Sequence, residues 1–145
     1  MAVPARVSLV TLGVKDVARS TLFYIALGWP LSSASIPGEV SFFKTAGGLL
    51  ALWREDALAE DAGVPPGPTN GNRGSALAIN LDSSEQVDAA LVTALTAGAQ
   101  ILKPGHATEW GGYNGYFADP DGHLWEVAHN PFWPIGPDDR PTLPE

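Results

Sequence analysis

The sequence contains no cysteine, which excludes disulfide bonds and thiolate chemistry, whether as nucleophile or as metal ligand. Basic residues are also few, with 8 Lys and Arg against 16 Asp and Glu and a net charge of −8. Because nucleic-acid binding depends on basic residues that contact phosphates, this balance argues against a nucleic-acid partner. No apolar run approaches the ~20 residues that cross a bilayer, so no membrane role is expected.

The N-terminal residues lack the basic and apolar regions of a signal peptide, which predicts a cytoplasmic location. A chain of 145 residues is typical of one domain. Such a domain buries roughly 68–70% of the surface of its unfolded chain, so it needs no disulfide or metal to hold it together.

One carboxylate interrupts an apolar strand near the C-terminus. Residues 115–130, GYFADPDGHLWEVAHN, predict a β-hairpin, because Asp-Pro-Asp-Gly has the residues of a tight turn. Glu126 lies at the centre of the second strand, where both faces are apolar. A carboxylate buried there is costly unless a metal, a cationic or hydrogen-bonding ligand, a protein partner or water compensates it. The alternative is a structural Glu that is satisfied by an Arg or by backbone N–H groups.

Both halves of the chain predict the same order of elements, β-α-β-β-β. The first half has strands at 7–14, 31–36, 40–44 and 49–54 and a helix at 17–27 that Asp16 caps. The second half has strands at 76–81, 99–102, 113–118 and 123–130 and a helix between Ser83 and Gly98. We expect a first module at 6–54, a linker at 55–74, a second module at 75–131 and an extended tail at 132–145. When the halves are aligned, Leu52 stands where Glu126 stands.

Four stretches match the pattern of a known family. They are residues 9–16 followed by Phe23-Tyr24 and Leu27-Gly28-Trp29, residues 87–98, Trp110-Gly111-Gly112-Tyr113, and residues 117–126, FADPDGHLWE. With these motifs the chain resembles the vicinal oxygen chelate superfamily of glyoxalases, bleomycin-resistance proteins and extradiol dioxygenases. The resemblance implies an α+β fold in which two βαβββ modules form an open cup-shaped sheet with helices outside. It also implies a homodimer with a small-molecule ligand in the cup.

Metal-dependent members of this superfamily hold one divalent ion with His, Gln or Glu on the strands that face the cup. Glu126 matches the last of these positions, but the others carry apolar residues: Leu9, Leu52 and Ala76. Since such an ion needs at least three protein ligands, no cofactor is expected unless a further group completes the site. His106, predicted in a loop, could fold over the cup, whereas His123 and His129 alternate onto the face opposite Glu126.

The predicted ligand-binding residues are Trp110, Tyr113, Phe117, Phe43, Leu52 and Glu126. If the turn is tight, Tyr113 and Phe117 share the face of Glu126, and Tyr116 shares the face of Trp125. One hypothesis is a metal-free protein that binds an aromatic or cationic molecule. A second is a lyase, isomerase or dioxygenase in which Glu126 is catalytic, as metal ligand or general base. A third is a dimer whose cup is packed shut.

Overall fold

Two β-sheets and three helices make up the part of the chain that is described, residues 2–67 and 73–145 of a computed structural model. The elements are β1 (Leu9–Val14), α1 (Val17–Ala26), β2 (Val40–Thr45), β3 (Gly48–Arg54), α2 (Glu55–Ala62), β4 (Leu77–Asn80), α3 (Ser84–Ala97), β5 (Gln100–Ala107), β6 (Tyr113–Ala118) and β7 (Leu124–His129). The sheet orders are β1-β3-β2 and β4-β7-β6-β5. The predicted α+β class is therefore confirmed. Residues 68–72 of the predicted linker lie outside the described residues.

The helices begin and end where the sequence predicts. Asp16 accepts a hydrogen bond from the backbone N–H of Arg19 (3.0 Å) at the start of α1. The Ser83 side chain accepts a hydrogen bond from the backbone N–H of Gln86 (3.2 Å) at the start of α3. This helix ends at Gly98, which has a φ of +116°. No helix in the described ranges is long and apolar enough to cross a membrane.

The strand predicted at 31–36 is wrong, because this segment forms only isolated bridges. Leu31 pairs with Phe43 and Ile36 with Val40. Between them, Ser35 accepts a hydrogen bond from the backbone N–H of Phe42 (2.9 Å) through its side chain. Serine side chains of this kind compete with the backbone for strand hydrogen bonds. The first sheet therefore has three strands where the second has four.

One apolar core joins the two halves of the chain. Helix α1 contributes Phe23, whose ring lies 6.2 Å from that of Phe117 on β6. Its neighbour Tyr24 lies 6.1 Å from Trp125 on β7 and 5.9 Å from Phe43 on β2. Because α1 packs against both sheets, neither half buries its apolar face alone.

A buried carboxylate in the loop between β6 and β7 fixes this packing. Asp119 is 4% exposed, and its Oδ1 accepts hydrogen bonds from the backbone N–H groups of Asp121 and His123, both at 2.9 Å. Its Oδ2 accepts from the Tyr24 hydroxyl (2.6 Å), whose oxygen in turn accepts from the Trp125 indole (3.0 Å). The loop of the second half is thereby attached to the helix of the first.

The same loop is bound to the end of β1. Asp121 accepts hydrogen bonds from the backbone N–H of Lys15 (2.9 Å) and from Arg19 (3.2 Å). The His123 ring lies between the Gly13 carbonyl (2.7 Å) and Arg73 (2.6 Å). A carbonyl only accepts and an Arg only donates, so His123 donates through Nε2 and accepts through Nδ1. These contacts hold the two modules together on the side of the loop.

Replacing Tyr24 with Phe should lower the free energy of unfolding by about 2 kcal/mol, since it leaves a buried carboxylate oxygen and an indole N–H without partners. Urea titration followed by circular dichroism measures the change. The matched control is Tyr116→Phe, because the half-buried Tyr116 hydroxyl has no hydrogen bond to the described residues. Equal losses in the two variants would contradict the role assigned to Asp119.

The cost of Tyr24→Phe should shrink at alkaline pH. Burial, and then the charge of Asp119, raise the pKa of Tyr24 well above its ordinary value. The folded state thus holds this proton more tightly than the unfolded state. The contribution of this proton to the free energy of unfolding is fully present below about pH 10 and is lost as the pH rises above that value. The difference between wild type and variant should fall by about 1.4 kcal/mol per pH unit above about pH 10. A constant difference between about pH 8 and about pH 11 would contradict this prediction.

Candidate functional site on the second sheet

The register of the β6–β7 hairpin decides which residues surround Glu126. Ala118 pairs with Leu124, so residues 119–123 form the loop, which is one residue longer than the tight turn suggested by the sequence. Tyr116 therefore lies opposite Glu126, and Phe117 lies opposite Trp125 with their rings stacked at 6.1 Å. The prediction that Phe117 and Tyr113 share the face of Glu126 is wrong, because a shift of one residue moves every side chain to the other face.

Tyr113 and Phe117 lie instead on the face that packs against α3. The Tyr113 hydroxyl donates a hydrogen bond to Asp88 of α3 (2.7 Å). A Cβ at Gly115, which lies between them on the strand, would stand 2.6 Å from the Leu91 side chain of the same helix. Phe117 is 1% exposed. These two aromatic residues are structural and do not line a pocket around Glu126.

The face opposite α3 carries a polar cluster on three neighbouring strands. Glu126 of β7 has Tyr116 of β6 directly across from it, and Asn114 follows on the same face two residues earlier. Two register shifts in β5 bring Lys103 opposite Tyr116 and His106 opposite Asn114. His106 thus lies on a strand and not in a loop as predicted. We call Glu126, Asn114, Tyr116, Lys103 and His106 the polar face.

Asn114 holds the Glu126 carboxylate in place. Its amide donates a hydrogen bond to Glu126 Oε2 (2.7 Å), and Asn114 itself is only 9% exposed. Glu126 is half-buried, and its Oε1 has no hydrogen-bond partner among residues 2–67 and 73–145. The cluster therefore presents an oriented carboxylate with one acceptor oxygen available to a ligand.

Tyr116 stays protonated beside this carboxylate. Its partial burial, and then the negative charge of Glu126, raise the pKa of its hydroxyl. A neutral phenol next to a carboxylate offers one donor beside one acceptor. Asn114 and Tyr116 were not among the predicted site residues. The signal in the sequence that could have found them is Asp119, because aspartate commonly caps loops with its side chain and so lengthens this one.

The first half offers no equivalent of Glu126. Phe43 pairs with Leu50 as Phe117 pairs with Trp125, so the structural counterpart of Glu126 is Ala51 and not Leu52. Phe43 and Leu52 are both 0% exposed and lie in the core, which corrects their predicted role in ligand binding. Helix α2 packs on the outer face of this sheet, where a Cβ at Gly13 would stand 3.2 Å from Glu55.

Trp110 lies in the loop between β5 and β6. The loop is closed by hydrogen bonds between Thr108 and Gly112, including one from the Gly112 N–H to the Thr108 hydroxyl (3.0 Å). A Cβ at Gly112 would overlap the Trp110 ring, so only glycine allows the indole to pack directly on the backbone. Trp110 is 47% exposed, and its part in ligand binding stays a prediction.

The residues around Glu126 do not fit a divalent metal. No group of three or more His, Cys, Asp or Glu that could hold an ion occurs among the described residues. Ala78 pairs with Glu126 on β4, Ala51 is its counterpart in the first sheet, and Leu9 begins β1. None of these three side chains carries a donor atom, so they add no ligand to Glu126.

A cavity of about 660 Å³ lies apart from Glu126, between the edge strands β1 and β4. None of the six predicted ligand-binding residues lines it. It borders the polar face through Ala78 and Asn80, because β4 is the direct neighbour of β7.

Replacing Glu126 with Gln should lower the pKa of Tyr116, because the negative charge that opposes ionisation of the phenol is removed. Titration of tyrosinate absorbance measures the shift, and Tyr116→Phe assigns the signal. The matched control is Asp88→Asn, which should lower the pKa of Tyr113, because a neutral amide replaces the carboxylate that accepts its hydrogen bond, and should leave Tyr116 unchanged. If Glu126→Gln leaves the pKa of Tyr116 unchanged, Tyr116 does not lie opposite Glu126 and the register of β6 and β7 is incorrect.

Comparison with known proteins identifies the family. A sequence model of the Glyoxalase/Bleomycin resistance protein/Dioxygenase superfamily matches residues 6–127. No curated protein gave a significant match to the chain. Among solved structures, a glyoxalase-related enzyme from Fulvimarina pelagi is 38% identical, with a TM-score of 0.88, over 98% of this chain and 100% of that chain.

Two further structures extend the similarity. A glyoxalase/bleomycin resistance protein/dioxygenase from Nocardioides is 26% identical, with a TM-score of 0.72, over 89% of this chain and 85% of that chain. A lactoylglutathione lyase from Agrobacterium tumefaciens is 23% identical and shares the fold, with a TM-score of 0.67 over 90% of this chain and 97% of that chain. The chain therefore belongs to the glyoxalase/bleomycin resistance protein/dioxygenase superfamily, as its sequence motifs suggested.

Proposed function

We propose that the protein binds a small aromatic or cationic molecule on its polar face, with Glu126 as the acceptor and no metal ion between them. The observation that carries the proposal is the geometry of Glu126, whose Oε2 is held by Asn114 while Oε1 has no partner in the described part of the chain. A half-buried carboxylate that is oriented in this way attracts an ammonium or another hydrogen-bond donor. The Tyr116 ring beside it supplies an aromatic surface for the rest of the ligand.

Two properties of the chain favour binding without metal over metal-dependent catalysis. Ala78, which pairs with Glu126, and the first-half positions Ala51 and Leu9 have no donor atoms. The family name itself covers bleomycin-resistance proteins as well as glyoxalases and dioxygenases, so membership is compatible with a binding function.

The alternative is a metal-free enzyme in which Glu126 acts as general base. Tyr116 favours this alternative, because its hydroxyl keeps its proton and lies across the strand pair from Glu126. In that reaction Glu126 would remove a proton from a carbon next to a carbonyl, and Tyr116 would donate a hydrogen bond to the oxygen on which negative charge develops. Isomerisation and lyase reactions begin with this step.

We also propose that the protein is a homodimer. Members of the superfamily typically form dimers. The cytoplasmic location stays a prediction.

Calorimetric titration of the metal-stripped protein with Mn²⁺, Ni²⁺ and Zn²⁺ should give no stoichiometric binding tighter than about 10 μM, roughly −7 kcal/mol. The reason is the missing donor set around Glu126. Tighter binding that disappears in Glu126→Gln would contradict the proposal, and assays on 2-oxoaldehyde thiol adducts and catechols would follow.

A panel of aromatic ammonium compounds should yield a ligand that Glu126→Gln binds about tenfold more weakly, because the variant keeps the shape of the side chain but loses its charge. Isothermal calorimetry measures both affinities. Glu85→Gln is the matched control, since Glu85 is an exposed residue on α3 and lies on the other side of the second sheet. Equal weakening in both variants would mean that overall charge, and not Glu126, attracts the cation. If a compound of the panel is instead converted to product, and Glu126→Gln stops the conversion without weakening the binding, the alternative of a metal-free enzyme is favoured.

A further inference from the structure

The cavity between β1 and β4 separates two sheet edges. The sheet orders place β1 at the edge of the first sheet and β4 at the edge of the second, with no ladder between them. Leu9 and Val10 of β1 and Leu77–Asn80 of β4 line the cavity of about 660 Å³, and Leu12 and Leu77 line a much smaller one. Open space therefore separates the two edge strands. A volume in this range is typical of small-molecule sites.

The floor of this cavity is apolar and aromatic. Trp29 and Trp125 line it, with their rings edge to face at 5.5 Å and 84°. The walls add aliphatic side chains from both sheets: Val10, Leu50, Leu77 and Ile79. A site of this composition favours a ligand with a flat apolar body.

Two cationic side chains stand at the rim. Arg140 of the C-terminal tail donates a hydrogen bond through Nε to the Ala46 carbonyl (2.8 Å). Its two terminal nitrogens, and the ammonium of Lys44 on β2, have no hydrogen-bond or ion-pair partner within the described residues. Among the residues that the structure describes, Asp139 is the one carboxylate that lines the cavity, so this part of the rim has an excess of positive charge. This excess is notable in a chain of net charge −8, and it selects for an anionic group on the ligand.

The tail is held in position to form one wall. We expected residues 132–145 to run extended, but the chain doubles back, with hydrogen bonds from Gly136 N–H to the Arg140 carbonyl and from Thr142 N–H to the Pro134 carbonyl, both at 2.8 Å. This turn places Trp133, Arg140 and Pro141 along the cavity. The contact between Arg140 and Ala46 then fixes the turn against the β2–β3 connection.

We propose that this cavity is a second binding site, for an aromatic carboxylate or sulfonate whose ring lies against Trp29 and Trp125 and whose anionic group is bound by Lys44 and Arg140. The site is distinct from the polar face, which presents a carboxylate and selects the opposite charge. It does not depend on the function proposed for Glu126.

The probe for the test is 8-anilinonaphthalene-1-sulfonate, with neutral N-phenyl-1-naphthylamine as its uncharged analogue. The wild type should bind the sulfonate saturably, with one molecule per chain, as followed by fluorescence. Arg140→Gln and Lys44→Gln should each weaken sulfonate binding about threefold to tenfold and leave the neutral analogue unchanged, because each variant removes one charge-assisted contact and no apolar surface.

The matched control is Arg54→Gln, which removes the same charge from a residue that pairs with Asp56 on α2 and does not line the cavity. It should bind the sulfonate as the wild type does, and so should Glu126→Gln. Equal weakening in Arg54→Gln, equal effects on the charged and neutral probes, or binding that does not saturate would each overturn the proposal. A loss of sulfonate binding in Glu126→Gln would place the probe on the polar face and would also overturn it.

Discussion

The carboxylate of Asp119 is the contact on which the arrangement of the second sheet depends. It accepts hydrogen bonds from Tyr24 and from the backbone of Asp121 and His123, so a buried charge is compensated at three points. These bonds fix the length of the loop between β6 and β7. Loop length fixes the register, and the register decides that Tyr116, and not Phe117, lies opposite Glu126. One buried side chain thus links the packing of the two modules to the chemistry of the exposed face.

The two modules share an order of elements, except for the strand that the first module lacks, but they differ in what their exposed faces carry. In the second, the face opposite α3 carries a held carboxylate and a phenol with a raised pKa. In the first, the equivalent position is Ala51, and α2 packs on that face. The first module contributes the helix that completes the core and one wall of the cavity beside β4. The polar face presents the Glu126 carboxylate, whereas Lys44 and Arg140 stand at the rim of the cavity.

Local signals in the sequence were sufficient for most of the fold. Asp16 and Ser83 cap the helices as their spacing predicts, and the family motifs lead to the correct superfamily. The strand predicted at 31–36 failed because the Ser35 side chain replaces a backbone partner there. The site was harder to predict, because it depends on the exact length of the loop between β6 and β7. The predicted loop is one residue too short, and this error places Phe117, and not Tyr116, on the face of Glu126. The irregular pairing of β5, which brings His106 opposite Asn114, and the fold of the tail depend on tertiary contacts that no local pattern reveals.

The most direct test of this account is a crystal structure of the protein grown with Mn²⁺ and measured for anomalous scattering. In that crystal structure, Glu126 Oε2 should accept a hydrogen bond from Asn114, Tyr116 should lie opposite Glu126, and no anomalous peak should occur at the carboxylate. A manganese ion coordinated by Glu126, with ligands from His106 or from a second copy of the chain, would contradict the central claim. The polar face would then be a metal centre and not a metal-free binding surface.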